Sequence, residues 1–152
     1  MTGMTIPDEV FRQIAAHGER SYPEECCGVM LGKETGSDRI VREVIEIDNT
    51  QESNRRRRFL ITSAQYRKAE QQAAERQLDL LGFYHSHPDH PAAPSAFDTE
   101  HALPWFTYVI VSIVKGKADR ATAWVLEESR ARFAEQSLHV ESGHPLRVSA
   151  LK

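Results

Sequence analysis

The chain carries only two cysteines, Cys26 and Cys27, and they are neighbours. Adjacent thiols cannot build a framework of long-range disulfides, so the fold must hold without covalent staples. Their position beside the apolar VML reads as two small buried thiols in a reducing compartment. No run reaches the roughly 18–20 consecutive apolar residues of a membrane span, and the start MTGMTIPDEVFRQI lacks the basic-then-apolar order of a signal peptide. A cytoplasmic location is the expectation. Charge of one sign is also not in excess, since the formal net charge of -3 gives no general pull toward nucleic acid or membrane. Internal repeats, low-complexity tracts and a linker that would split the chain are all absent.

What is present suits a single domain over residues 1–152, long enough to bury one apolar core. Val10, Phe11, Ile14 and Ala15 at helical spacing predict an amphipathic helix from Pro7 to about Arg20, with Pro7 and Asp8 in its first turn. CCGVMLG reads as a short buried strand closed by Gly32. In RIVREVIEID, Val41, Glu43, Ile45 and Ile47 form one mostly apolar face of a half-buried strand, and Ile40, Arg42, Val44 and Glu46 the other. SAQYRKAEQQAAERQ predicts a second helix with Ser63 as its N-cap. LDLLGFYHSH, WFTYVIVSIV and ATAWVLEE follow as strands, and SLHVE reads as a further edge strand. Hairpin-length and helix-length connections mix irregularly, which favours an α/β (α+β) fold: a mixed sheet flanked by helices, not a doubly wound parallel one.

The stretch HSHPDHPAAPSAFD, residues 85–98, holds the densest set of metal-capable side chains. On a strand, His85 and His87 project to the same face and Ser86 to the other, so two imidazoles can meet one ion. A catalytic zinc site usually takes three protein ligands, and Asp98 can supply a carboxylate. Ser95 as N-cap would place Asp98 at the third position of a short helix folded back beside the strand end. The same residues allow a second account, in which Ser95 and Asp98 only cap the helix and His85, His87 and His90 sit on a polar surface loop. His90 and His101 could also compete for a metal, with Asp89 and Glu100 ranking below them.

The string from His85 to Asp98 is similar to the signature of the JAMM/MPN+ metalloprotease family, H-[ST]-H-x7-S-x2-D. It matches at His85, Ser86, His87, Ser95 and Asp98. The family's upstream E-x-C-G segment is resembled by Glu25 with Cys27 and Gly28 in EECCGVMLG. The order of elements agrees over about residues 7–127. The resemblance implies a JAMM/MPN, cytidine-deaminase-like fold with a mostly antiparallel sheet, and one zinc per chain on His85, His87 and Asp98. It further implies Glu25 as catalytic base and Ser95 as oxyanion donor. Nothing in the residues alone singles out Glu25. Similarity to the compact prokaryotic members implies an amide or isopeptide substrate at or after the C-terminal Gly-Gly of a ubiquitin-like, ThiS/MoaD-like sulfur-carrier protein. Iron and cobalt tolerate similar ligands.

Other readings have less support. A RadC-like protein shares H-x-H-P and a later aspartate but not E-x-C-G, and a non-catalytic MPN interaction module would not need the full residue set. A deaminase would need a P-C-x-x-C ligand pair that is missing. The run Arg55 to Arg58 reads as a solvated loop or as a contact for an acidic carrier face. Without interleaved aromatics it does not indicate a nucleic-acid partner.

Overall fold

A computed structural model of the chain describes residues 3–49, 61–129 and 132–141. In order, the elements are β1 (Gly3–Pro7), α1 (Asp8–Ser21), β2 (Cys27–Thr35), β3 (Asp38–Ile47) and α2 (Ser63–Glu75), then β4 (Asp79–Pro88), α3 (Ala96–His101), β5 (Thr107–Val114), β6 (Lys117–Leu126) and β7 (Phe133–Glu141). Arg55 to Arg58 lie outside the described residues. No helix among the described residues is long and apolar enough to cross a membrane.

The strands are ordered β1-β3-β2-β4-β5-β6-β7, and β1 pairs with β7 to close the sheet into a barrel. Pairing is antiparallel between β2 and β3, β2 and β4, β5 and β6, and β6 and β7. It is parallel between β1 and β3, β1 and β7, and β4 and β5. The mixed sheet agrees with the pattern read from the sequence, and its antiparallel majority, four pairings to three, with what the family resemblance implies.

Closure does not agree with it. GMTIP is short and runs straight into a helix, so its strand character is hidden, and Pro7 ends β1 as well as preceding α1. The SLHVE segment is no edge strand: within β7, Leu138 pairs with Met4 and Val140 with Ile6. Closing the sheet this way leaves fewer unpaired edge groups exposed to other chains.

α1 buries Val10, Phe11 and Ile14 against one apolar cluster that includes Met30, Leu81 and Val111. α2 turns its small residues Ala69 and Ala73 toward a second cluster with Val29, Leu31 and Phe83. Small side chains let α2 pack closely on β4. Its N-cap is Thr62, not Ser63: the Thr62 Oγ1 accepts the Gln65 amide at 3.1 Å, and Gln65 Oε1 accepts the Thr62 amide at 2.9 Å. The reciprocal pair needs a residue three positions on that can reach back, and Gln65 supplies it for Thr62.

β3 breaks the simple alternation. Leu31 pairs with Glu43 and Gly32 with Val41, so Arg42 is bulged out of the ladder. Beyond the bulge the faces exchange. Val41 and Val44 join the α1-side cluster, whereas Ile45 and Ile47 pack with the α2-side one. Gly32 sits at the bulge because a Cβ there would lie 2.0 Å from the Ile40 carbonyl oxygen.

Candidate metal centre

β4 runs between β2 and β5 and ends where β2 begins, with Cys27 opposite His85 as the last pair. His85 and His87 leave this strand on one face, as period-two alternation requires. Their Nε2 atoms are 3.2 Å apart. Asp98 Oδ2 stands 3.2 Å from the first and 3.1 Å from the second.

The turn between strand and helix is tied down on several sides. Asp89 takes a left-handed conformation (φ 57°), which a short polar side chain tolerates, and its amide donates to the Ile113 carbonyl at 2.7 Å. Its carboxylate accepts the Lys115 amide at 2.7 Å and the Tyr22 hydroxyl. The Thr122 hydroxyl donates to Ala92 O at 2.6 Å. These contacts turn the chain so that Ser95 and Asp98 come back beside the strand end.

There the two accounts of Ser95 and Asp98 merge. Ser95 Oγ accepts the Asp98 amide at 3.0 Å, and Asp98 Oδ2 accepts the Ser95 amide at 2.9 Å, a reciprocal capping box. The oxygen that closes the cap is the one that faces both histidines. Burial works against the charged form of Asp98, but the adjacent His85, the close approach of the His85 and His87 ring nitrogens and the Ser95 amide overcome it and hold the carboxyl well below the usual range.

Glu25 joins from the entrance of β2. It is buried, and each of Glu25, His85, His87 and Asp98 offers a ligand atom within 4.8 Å of the others. His90 and His101 are not part of this group. His90 stacks on His87 with ring centroids 4.1 Å apart and directs Nε2 to within 3.9 Å of Glu25 Oε2. His101 stacks on Phe97 and donates Nδ1–H to the Phe97 carbonyl at 3.0 Å. Ser86 points away, as expected, and its hydroxyl accepts the Cys26 amide.

The donors fit a zinc ion. Tetrahedral ligands 2.0–2.1 Å from zinc stand ~3.3 Å from one another, close to the edges of the His85, His87 and Asp98 triangle. His87 Nδ1 lies 2.7 Å from the Pro91 carbonyl, which can only accept. Nδ1 therefore carries the hydrogen, and Nε2 presents its lone pair to the cluster, the tautomer a metal-binding histidine needs. Lone pairs packed this closely repel one another unless a proton or cation lies among them.

Beside the cluster is a cavity of about 410 Å3. His85 and Asp98 form one wall, and Tyr66, Phe83, Phe97, Leu103 and Tyr108 make the rest largely aromatic and apolar. Sequence reading missed this cavity, because its walls come from four separate elements and their connecting loops. It missed the tethering role of Asp89 as well, for which an aspartate within HPDHP was the available signal.

Residues 7–127 match the family model of prokaryotic homologs of the JAB domain, and the chain belongs to that family. Curated relatives are peptidases. One, a probable TtuB-protein conjugate cleaving protease of Thermus thermophilus, is 30% identical over 125 residues, covering 82% of this chain and 77% of the relative. Another, a CysO-cysteine peptidase of Mycobacterium tuberculosis, is 33% identical over 110 residues, covering 72% of this chain and 73% of that one.

Solved structures agree on the fold. A Salinibacter ruber protein is 42% identical with a TM-score of 0.70, covering 97% of this chain and 96% of its own. A Desulfitobacterium hafniense protein is 25% identical with a TM-score of 0.79, covering 91% and 92%. A JAB1/MPN domain protein of Archaeoglobus fulgidus shares the fold at 17% identity, with a TM-score of 0.58 over 91% of this chain and 97% of its own.

Proposed function

We propose that this protein is a zinc-dependent peptidase or isopeptidase. Its substrate is an amide bond at or after the C-terminal Gly-Gly of a ubiquitin-like, ThiS/MoaD-like sulfur-carrier protein. The observation that carries the proposal is the convergence of Glu25 with His85, His87 and Asp98 at one buried point, in a chain whose curated relatives are peptidases. The relatives named for TtuB-protein conjugates and for CysO-cysteine support a substrate in which a protein is joined to a second group.

His85, His87 and Asp98 would hold the ion, through two imidazole nitrogens and one carboxylate oxygen. Zinc, when bound, supplies a Lewis acid that makes water nucleophilic near neutral pH and polarises an amide carbonyl. Glu25 takes the proton from the attacking water and delivers it to the leaving amine nitrogen. Ser95 Oγ already accepts the Asp98 amide, so the hydrogen it offers to the developing oxyanion is its own. The apolar cavity beside His85 gives part of the substrate a dry surface to pack on.

The test measures zinc per chain together with cleavage, read by intact mass, of a ThiS/MoaD-like carrier bearing residues after its Gly-Gly. Wild type holds one zinc and cuts after Gly-Gly; Glu25→Ala keeps zinc and loses turnover; Asp98→Ala loses both. A zinc-loaded wild type that leaves every such carrier whole would overturn the substrate assignment.

A further inference from the structure

Glu25 stands just outside the sheet. β2 begins at Cys27, which pairs with Ile47 on one side and His85 on the other. Continued by two residues, the antiparallel register with β3 sets position 49 against Glu25. Continued by one, the register with β4 sets Ser86 against Cys26. At these places side chains supply part of the pairing. Asn49 donates Nδ2–H to the Glu25 carbonyl at 3.1 Å, and the Ser86 hydroxyl accepts the Cys26 amide at 2.9 Å. The Ser86 amide also donates to the Cys26 carbonyl at 3.1 Å.

The Glu25 carbonyl and the Cys26 amide are the two polar ends of one planar peptide unit. Both ends are therefore held, one from β4 and one from the chain just beyond the end of β3, at the peptide that carries Glu25. A glutamate reaches its target through several rotatable bonds, and a displacement of about 1 Å in a reacting group can cost on the order of 100-fold in rate. Fixing this peptide removes the backbone's share of that freedom before any substrate arrives. Neither Asn49 nor Ser86 belongs to the group of potential ligands.

We infer that Asn49 and Ser86 are positioning residues that clamp the Glu25–Cys26 peptide from both sides and so aim the Glu25 carboxylate at the cluster. The inference rests on the reading of Glu25 as the base. It gives a reason for the hydroxyl between the two histidines, a residue that cannot itself reach the reacting atoms from its side of the strand.

The experiment compares Asn49→Asp, Asn49→Ala and Ser86→Ala with wild type in the zinc-loaded full chain. Its readouts are kcat and KM on the carrier substrate, zinc content, and hydrogen exchange at the Cys26 amide. Asn49→Asp keeps the side-chain size but has no N–H to give at neutral pH. The expected result is a kcat lower by about tenfold or more in all three, with KM and zinc unchanged. Faster exchange at the Cys26 amide is expected in Ser86→Ala. Wild-type kcat in Asn49→Asp alongside a loss in Asn49→Ala would make Asn49 a packing group and overturn the clamp. Unchanged Cys26 exchange in Ser86→Ala would overturn it from the other side, whatever the substrate turns out to be. Glu25→Gln is run in parallel: if it keeps wild-type turnover, the reading of Glu25 as base falls and the inference falls with it. An inactive Glu25→Gln beside fully active clamp variants sinks the inference alone.

Discussion

The His90 ring lies on the His87 ring, with centroids 4.1 Å apart and planes 23° from parallel. His87 is thus held three ways: by the strand, by its hydrogen bond to Pro91 and by the stacked ring. His90 is itself fixed by donating Nδ1–H to the Pro88 carbonyl at 2.9 Å. The turn that separates the two histidines in sequence folds one over the other.

That stack predicts how metal release responds to substitution. His90→Phe keeps a flat ring over His87 and should hold zinc about as long as wild type. His90→Ala removes the ring, and release to a chelator should speed up by about tenfold, the lower end of what loss of an orienting partner costs a metal site. Equal release from the two variants would mean that the stack contributes nothing to retention.

Asp98 is asked to cap a helix and to face two imidazoles with the same oxygen, and the two tasks can be separated. Asp98→Asn retains an oxygen that accepts the Ser95 amide but gives up the charge. It should lose zinc while the metal-free protein keeps most of its stability. Asp98→Ala also gives up the hydrogen bond to the Ser95 amide, while Ser95 Oγ still accepts the amide of residue 98, for a further cost of about 1 kcal/mol. Urea denaturation of the metal-free variants measures the difference, and identical midpoints would show the side-chain half of the capping box to be without weight.

How much of this was legible beforehand depended on whether a residue's partner was near in sequence. The His85, His87, Ser95 and Asp98 constellation could be read because strand alternation and helix capping are local rules acting within fourteen residues. Glu25 could not be read that way, since only folding brings the start of β2 beside the end of β4, and the family resemblance supplied it. β1 escaped notice because its strand pairs lie on β3 and on the distant β7. The face assignment of β3 failed beyond Arg42 because a bulge is set by the partner strand and leaves the alternation of its own sequence looking intact. Asn49 and Ser86 show the same limit: each binds a peptide more than twenty residues away.

The two thiols predict an alkaline weakness. Burial pushes the Cys26 thiol up to about 11 and shifts Cys27 in the same direction. An unfolded thiol titrates near ~8.5, so the folded chain keeps these protons to higher pH than the unfolded chain does. Their contribution to stability is full below about 8.5 and is lost as pH rises toward about 11. Urea midpoints should fall between pH 7.5 and pH 10, and the fall should shrink in Cys26→Ala. Thiol reagents at neutral pH should modify both residues only as fast as the protein opens.

The glycine of the E-x-C-G segment gives the last prediction. Gly28 pairs with Tyr84, the residue before His85, and a Cβ at position 28 would lie 2.3 Å from the Tyr84 ring. The ring cannot swing aside cheaply: it is fully buried, and its hydroxyl is 2.7 Å from His17 Nδ1 on α1. Gly28→Ala must therefore move the ring, the strand or α1, and such overpacking costs about 1–3 kcal/mol. Any shift of the Tyr84 backbone passes directly to His85, so zinc affinity should fall along with the urea midpoint. In a Tyr84→Leu background the ring is gone, and the same Gly28→Ala change should cost clearly less, the non-additivity expected of residues in contact. Equal costs in the two backgrounds would show that the strain lies elsewhere and that Tyr84 does not link the glycine to His85.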